Sequence, residues 1–347
     1  MNRTTIITAA ALTLVAAGLL FAGPLNPPAG PVTSTYKTLT EVEPRTAINL
    51  TNTPGDADSL FKITQPGSYY LTGNITGVVG KHGIEIAASG VTLDLMGFDL
   101  SGLAASLDGV SATIFNLTNI TICNGSVRGW GDEGVDLGSN FADNSTVIDV
   151  RASGNAGSGI TVGTGGMITG CSAAFNGGTG ISTTSGGTIT RCSAAGNTSN
   201  GIAAASGSTI TGCSAYDNTA NGISTGGGST ITGCAAYINT GNGIFAGGAS
   251  TITGCLANRN SGNGIAVTTN CLVLANTCQA NGNIGDGAGI HATGGDNRIE
   301  SNNCADNDRG IDVDAAGNII IKNTCSGNTS NWEIAVGNVC LVILATP

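Results

Sequence analysis

The chain is short of almost everything that fills an ordinary globular core or meets a charged partner. Aromatic residues are 4% and charged residues 10% of 347 positions, so both large core rings and the Glu, Lys and Leu of long helices are scarce. Lysine and arginine number 12 against 22 acids, a net charge of −10. That balance excludes nucleic acid as a partner, because phosphate-backbone binding needs clustered cations. Proline is missing from Gly67 to Thr346, as continuous strand pairing requires of a residue that cannot donate to a ladder. Beyond the first 22 residues no stretch approaches the ~20 apolar positions of a membrane span. What is abundant is glycine, 56 residues, without collagen's triplet period or the proline of low-complexity chains. A repetitive β protein with a narrow core fits this composition.

Residues 1–22 read as an export signal, with Arg3 ahead of an apolar stretch from Ile6 to Phe21. The protein is therefore expected to be secreted, periplasmic or at the cell surface. Residues 23–65, which hold most of the prolines, read as an extended leader, 66–331 as the repeat body, and 332–347 as a C-terminal cap or tail. Between 156 and 270 the only charges are Asp217, Arg191 and Arg259, whereas 271–347 carries 8 acids and 3 bases. The middle is electrostatically almost blank.

Gly-Ile recurs at Gly159-Ile160, Gly180-Ile181, Gly201-Ile202, Gly222-Ile223, Gly243-Ile244 and Gly264-Ile265, 21 residues apart each time. Looser copies, 25 or 26 residues apart at some steps, run back to Gly83-Ile84 and forward to Gly310-Ile311. Within a unit, short alternating pieces such as Thr209-Ile210-Thr211 are separated by Gly, Ser and Asn-Gly turns. A leucine-rich repeat has a similar period, but Leu256 is the only leucine between Gly138 and Asn270 and no unit has room for a helix. The expected fold is all-β: a single right-handed parallel β-helix of about eleven coils of 21–26 residues, stacked at the ~4.8 Å strand spacing.

Residues one period apart then form columns. Asn155, Asn176, Asn197, Asn218, Asn239, Asn260, Asn281, Asn307 and Asn328 make a ladder in which each amide donates to one neighbouring coil and accepts from the other. Cys171, Cys192, Cys213, Cys234 and Cys255 make a second column, which switches to Asn276, Asn302 and Asn323 while cysteine reappears at Cys278, Cys304 and Cys325. In-register parallel side chains point the same way, so these thiols are expected to be free and to pack as small hydrophobes; a separate pair involving Cys271 or Cys340 stays open. No Cys-x-x-Cys or Cys/His spacing marks a metal site. Outward threonine pairs at 188/190, 209/211, 230/232 and 251/253 suit an exposed strand, and also form the regular array found on ice-binding solenoids.

The Gly-Ile starts, the Asn column, and the segments Gly67-Ser68-Tyr69-Tyr70-Leu71-Thr72-Gly73-Asn74 and Val91-Thr92-Leu93-Asp94-Leu95 resemble bacterial right-handed parallel β-helix proteins of the pectin-lyase-like superfamily. The resemblance spans roughly residues 60–335 and implies the fold far more specifically than an activity. Family pectin hydrolases carry Asn-Thr-Asp, Asp-Asp, Gly-His-Gly and Arg-Ile-Lys elements; here only Arg298-Ile299-Glu300 comes near, with the wrong final charge. The Asp-Pro-His-Glu element of alginate epimerases is missing too.

From side-chain chemistry the best constellation is His291 and Asp312, each just after its Gly-Ile, with Asp314 two residues along, Phe245 two coils earlier in the same column, and Arg298 or Arg309 as cationic partners. A carboxylate-lined groove there would take calcium if the protein is a lyase; otherwise no cofactor is expected. A second group, Arg128, Trp130, Asp132, Glu133 and Asp136, near the N-terminal coils, reads as either a binding patch or a local turn network. Trp332 is expected to cover the open end of the core. The leading functional expectation is a non-catalytic β-helix of the cell envelope or surface, structural or carbohydrate-contacting, with polysaccharide or envelope components as partners. The alternatives are a polysaccharide lyase or related enzyme acting on acidic polysaccharide through His291, Asp312 and Arg298, and ice binding through the Thr-x-Thr face.

Overall fold

The computed structural model of the protein describes residues 43–138, 142–282 and 285–341; the expected export signal and residues 23–42 of the leader lie outside them. The chain divides into residues 1–44 and Arg45–Pro347, and the second unit is the solenoid. Among the described residues no helix is long and apolar enough to cross a membrane.

Each central coil is three short strands, as in Ile160–Val162, Met167–Thr169 and Ser172–Ala174, before the next coil begins at Ile181. The three-residue pieces alternate, so Ile168, Ile189, Ile210, Ile231 and Ile252 point inward at 0% exposure while their neighbours, threonine except at Met167, point out. Burying each isoleucine stabilises the rod by about 2 kcal/mol. Strands one coil apart pair in parallel and in register, Ile189 with Ile210 and Ile210 with Ile231. The first strand of every coil builds a 13-stranded sheet and the other two build a 24-stranded sheet.

Thirteen rungs exceed the eleven units expected, because pairing starts earlier and ends later than the clear repeats. Thr46–Ala47 pairs with Tyr69–Tyr70 and Ser59–Ile63 with His82–Ile86, inside the stretch read as leader. At the other end Val339–Leu341, inside the stretch read as cap, pairs with Ile319–Ile321. Trp332 stands in the inward isoleucine column opposite Ile311 and packs, partly buried, against the core.

The asparagine ladder is built as its period requires. Asn176 Nδ2 donates to Asn197 Oδ1 at 2.9 Å and to the Ala152 carbonyl at 3.3 Å. Its own Oδ1 accepts from the Asn155 backbone N–H at 3.1 Å and from Asn155 Nδ2 at 3.0 Å. Every buried amide group so paired offsets its own desolvation. The cysteines are free throughout, Cys271 and Cys340 included; each column thiol lies against backbone carbonyls, as Cys213 Sγ does on Ile189 and Thr211. Two further ladders escaped the sequence reading. Asn297, Asn318 and Asn338 link Nδ2 to Oδ1 at 2.9 and 3.0 Å in the last coils, and Asn200, Asn221, Asn242 and Asn263 cap successive strands from outside through their side-chain oxygens.

Candidate functional site

The outward position of the 13-stranded sheet forms one continuous column. Register places Phe245 beside Ala266, Ala266 beside His291, His291 beside Asp312 and Asp312 beside Glu333. Five of the sequence-level candidates therefore meet or align near the C-terminal end: Phe245, His291, Arg309, Asp312 and Asp314. His291 Nε2 lies 3.0 Å from Asp314 Oδ2 and 3.8 Å from Asp312 Oδ2. Asp312 is the buried member, its side chain 7% exposed, and Asp314 the open one at 52%.

The hydrogen-bond network assigns the tautomer of His291. Asn263 Oδ1 accepts from the Ala288 N–H at 2.8 Å, which turns Asn263 Nδ2 toward His291 Nδ1 at 3.5 Å. Nδ1 is then the acceptor, and Nε2 carries the hydrogen that it donates to Asp314. Arg309 is wholly engaged: NH1 binds Asp312 at 2.7 Å, NH2 binds Asp286 at 2.6 Å and Nε binds Glu333 at 2.7 Å. Burial pushes the Asp312 carboxyl above its ordinary range, against the opposing pull of His291 and Arg309. Three carboxylates pair with the one guanidinium and a fourth, Asp314, with His291, so the group carries a net negative field.

The other candidates fall elsewhere. Arg298 lies on Arg298–Glu300 in the 24-stranded sheet and pairs with Glu300 at 2.7 Å; the turn between the sheets carries it to a different face from His291, which removes it from the constellation. Trp130 offers no ring to a ligand, being 1% exposed. Its Nε1 donates to the Leu100 carbonyl and its backbone N–H donates to Asn155 Oδ1, so it heads the asparagine ladder. The ring lies against Gly77, Gly83, Gly102 and Gly109; a Cβ on Gly102 would come within 2.5 Å of the Trp130 backbone.

Asp136 is 8% exposed and accepts the Gly138 N–H. Its surroundings are a second charged group at the N-terminal end of the same sheet. There Glu133 is pushed up to about 7 by burial and then by the charges of Asp136, Asp108 and Asp132. His82 Nδ1 lies 3.2 Å from Asp108 Oδ2. Sequence reading passed over His82 and Asp108, although both precede the Gly of their coil in the column that holds Glu133. It also passed over Asp286 and Glu333, whose partner Arg309 is fixed only by the fold.

Among the described residues, two groups bring metal-ligating atoms within 4.8 Å of one another: His291, Asp312 and Asp314, and Asp56, Asp58 and Glu85. In the second, Lys62 already bridges Asp56 and Glu85 at 2.7 Å each. In the first, Arg309 holds Asp312 and the Nε2 hydrogen faces Asp314. Calcium takes about six to eight oxygens, and two carboxylates with one already paired are a poor match.

A family model for the right-handed β-helix region matches residues 72–234 and 133–280, together more than half the chain. The chain belongs to the right-handed β-helix family. No curated protein matches it in sequence. Among solved structures, this β-helix is similar to the A-module of Azotobacter vinelandii mannuronan C-5 epimerase AlgE6, with 16% identity over 80% of this chain and 92% of that chain at a TM-score of 0.60. The A-module of mannuronan C-5 epimerase AlgE4 from the same organism is similar at 15% identity over 79% and 90%, TM-score 0.59. At these identities the likeness is one of fold.

Proposed function

We propose that this β-helix is an exported, non-catalytic carbohydrate-contacting protein of the cell envelope or surface, holding a hydroxyl-rich glycan along the outer face of the 13-stranded sheet. The observation that supports it most is the closed state of the cations at the His291 group. Arg309 spends all three nitrogens on Asp286, Asp312 and Glu333, and His291 spends its Nε2 hydrogen on Asp314. An acid sugar would bring its carboxylate to a net negative surface with no cation to neutralise it, and an enolate would develop with no stabiliser. The exposed oxygens of Asp314, Asp286 and Glu333 suit the acceptance of hydrogen bonds from sugar hydroxyls, and the Phe245 ring, half-buried two rungs away, suits an apolar sugar face.

The purified protein tests this against soluble neutral and acidic polysaccharides, read both for binding and for unsaturated products. Retention without unsaturated products, weakened in Asp314→Asn and Phe245→Ala, is the expected result. Unsaturated uronate products that vanish in His291→Ala and Asp312→Asn would overturn it in favour of the second reading, a lyase or related enzyme on acidic polysaccharide. That reading draws on the ligand-like spacing of His291, Asp312 and Asp314. The in-register threonine pairs from Thr188 to Thr253 keep the ice-binding alternative testable by thermal hysteresis.

A further inference from the structure

On the 24-stranded sheet a second outward column runs Ala174, Ala195, Tyr216, Tyr237, Asn258. The two tyrosine rings stack at 5.1 Å between centroids and 8° between planes, so their separation is close to the strand spacing itself. The neighbouring column, at the corner where each strand ends, holds Phe175, Gly196, Asp217, Ile238 and Arg259. Phe175 is 71% and Ile238 49% exposed, beside Tyr216 at 37% and, one coil on, Leu256 at 43%. The Phe175 ring leans over Gly196, where a Cβ would meet its Cδ1 at 2.7 Å, and so bridges the gap toward the coil of Tyr216. In a chain with so few aromatic residues, this is a concentrated apolar strip.

The backbone shows that the strip is held at a cost. Phe175 and Ile238 sit at φ 56 and 59, in the left-handed region that Gly154, Gly196 and Gly327 occupy at the same corner elsewhere. A β-branched residue there is strained, and glycine or asparagine would relieve it. Ile238 is only about half buried in exchange. An exposed apolar side chain on a strained corner contributes little to the folded chain, which points to a partner outside it.

We propose that Phe175, Tyr216, Tyr237 and Ile238 form a contact strip for a neutral polysaccharide, on a different sheet from the His291 group and independent of it. Charge selects the occupant first: residues 156–270 carry only Asp217, Arg191 and Arg259, so neither a polyanion nor a polycation finds a complementary field. Size selects it next. The exposed parts of Phe175, Tyr216, Ile238 and Leu256 amount to about two whole side chains, on the order of 400 Å². A stable protein partner, including a second copy of this chain, needs about 800 Å² on each side. A sugar chain needs less: its C–H faces lie on ring edges and faces, while its hydroxyls reach the tyrosine oxygens and the serines of the adjoining column, where Ser214 Oγ donates to Ser193 Oγ at 3.3 Å.

Affinity electrophoresis through gels containing hydroxyethylcellulose, laminarin or galactomannan tests the strip. The wild-type protein is expected to be retarded by at least one of them. Tyr216→Ala/Tyr237→Ala should weaken that retardation at least tenfold, both in the wild-type background and in an Asp314→Asn/Phe245→Ala background, because the two sites act independently. Should the alanine pair fold poorly, Tyr216→Ala/Tyr237→Asn restores the residue types that already stand in this column. Loss only in Asp314→Asn/Phe245→Ala would sink the strip and keep the other site; loss only in the tyrosine variants would do the reverse. No retardation in any gel, equal retardation of all variants, or a wild-type dimer in light scattering that the tyrosine variants abolish would each overturn the proposal.

Discussion

The coils from Ile160 to Ile265 and the coils that flank them solve one problem differently. In the centre the spacing is constant, ladder amides and isoleucines meet like with like, and Arg191, Asp217 and Arg259 are the only charges. Toward either end coils lengthen, and the added or displaced residues bring charge: Asp286 stands on the extra residues between Gly264 and Gly289 and reaches Arg309 at 2.6 Å. The uninterrupted run of equal-length coils thus belongs to stability, and the titratable groups gather in the coils outside it.

The contrast breaks most visibly at the junction of the two regions. Trp130→Ala removes the ring that fills the space above Gly102 and Gly109 and is expected to cost about 3–5 kcal/mol, read by urea denaturation. A loss under 1 kcal/mol would mean the N-terminal coils do not depend on the head of the ladder. Within the centre, Asn197→Ala should cost about 2–4 kcal/mol, because it strands the Ala173 carbonyl and both Asn176 donors. Asn200→Ala, on the outer ladder, should cost less than half as much.

The charged N-terminal coils should respond to pH where the centre does not. Glu133 is raised from an ordinary 4.5 to about 7, so the folded state holds its proton more tightly than the unfolded chain. Below about pH 4.5 both states are protonated and nothing is lost; stability falls as pH rises between 4.5 and 7, and the full penalty, about 2 kcal/mol after allowance for partial exposure, stands above 7. Glu133→Gln should flatten that slope in thermal melts taken from pH 4 to 8. At the small end, Thr211→Ser on the exposed face should shift stability by less than about 0.5 kcal/mol.

Much of this was legible in the sequence because a repeat turns spacing into contact. Asn155 to Asn328, the free cysteines and the alignment of Phe245, His291 and Asp312 all follow from counting. What did not follow was anything the period does not govern. Arg298 is nearer His291 along the chain than Arg309 is, and only the turn between sheets sends it away. Trp130 looked like a ligand platform beside Asp132 and Glu133, yet the glycines of earlier coils leave it a cavity. The strand Ser59–Ile63 pairs without any Gly-Ile signature, so the first coils were missed.

The stacking of residues 21 apart is tested most directly by a double-mutant cycle on Asn197 and Asn218, with Asn197→Ala, Asn218→Ala and the pair compared by urea denaturation. Asn197 Nδ2 donates to Asn218 Oδ1 at 3.0 Å, so the account predicts a coupling of at least about 1 kcal/mol. Additive losses, with no coupling beyond about 0.3 kcal/mol, would contradict it.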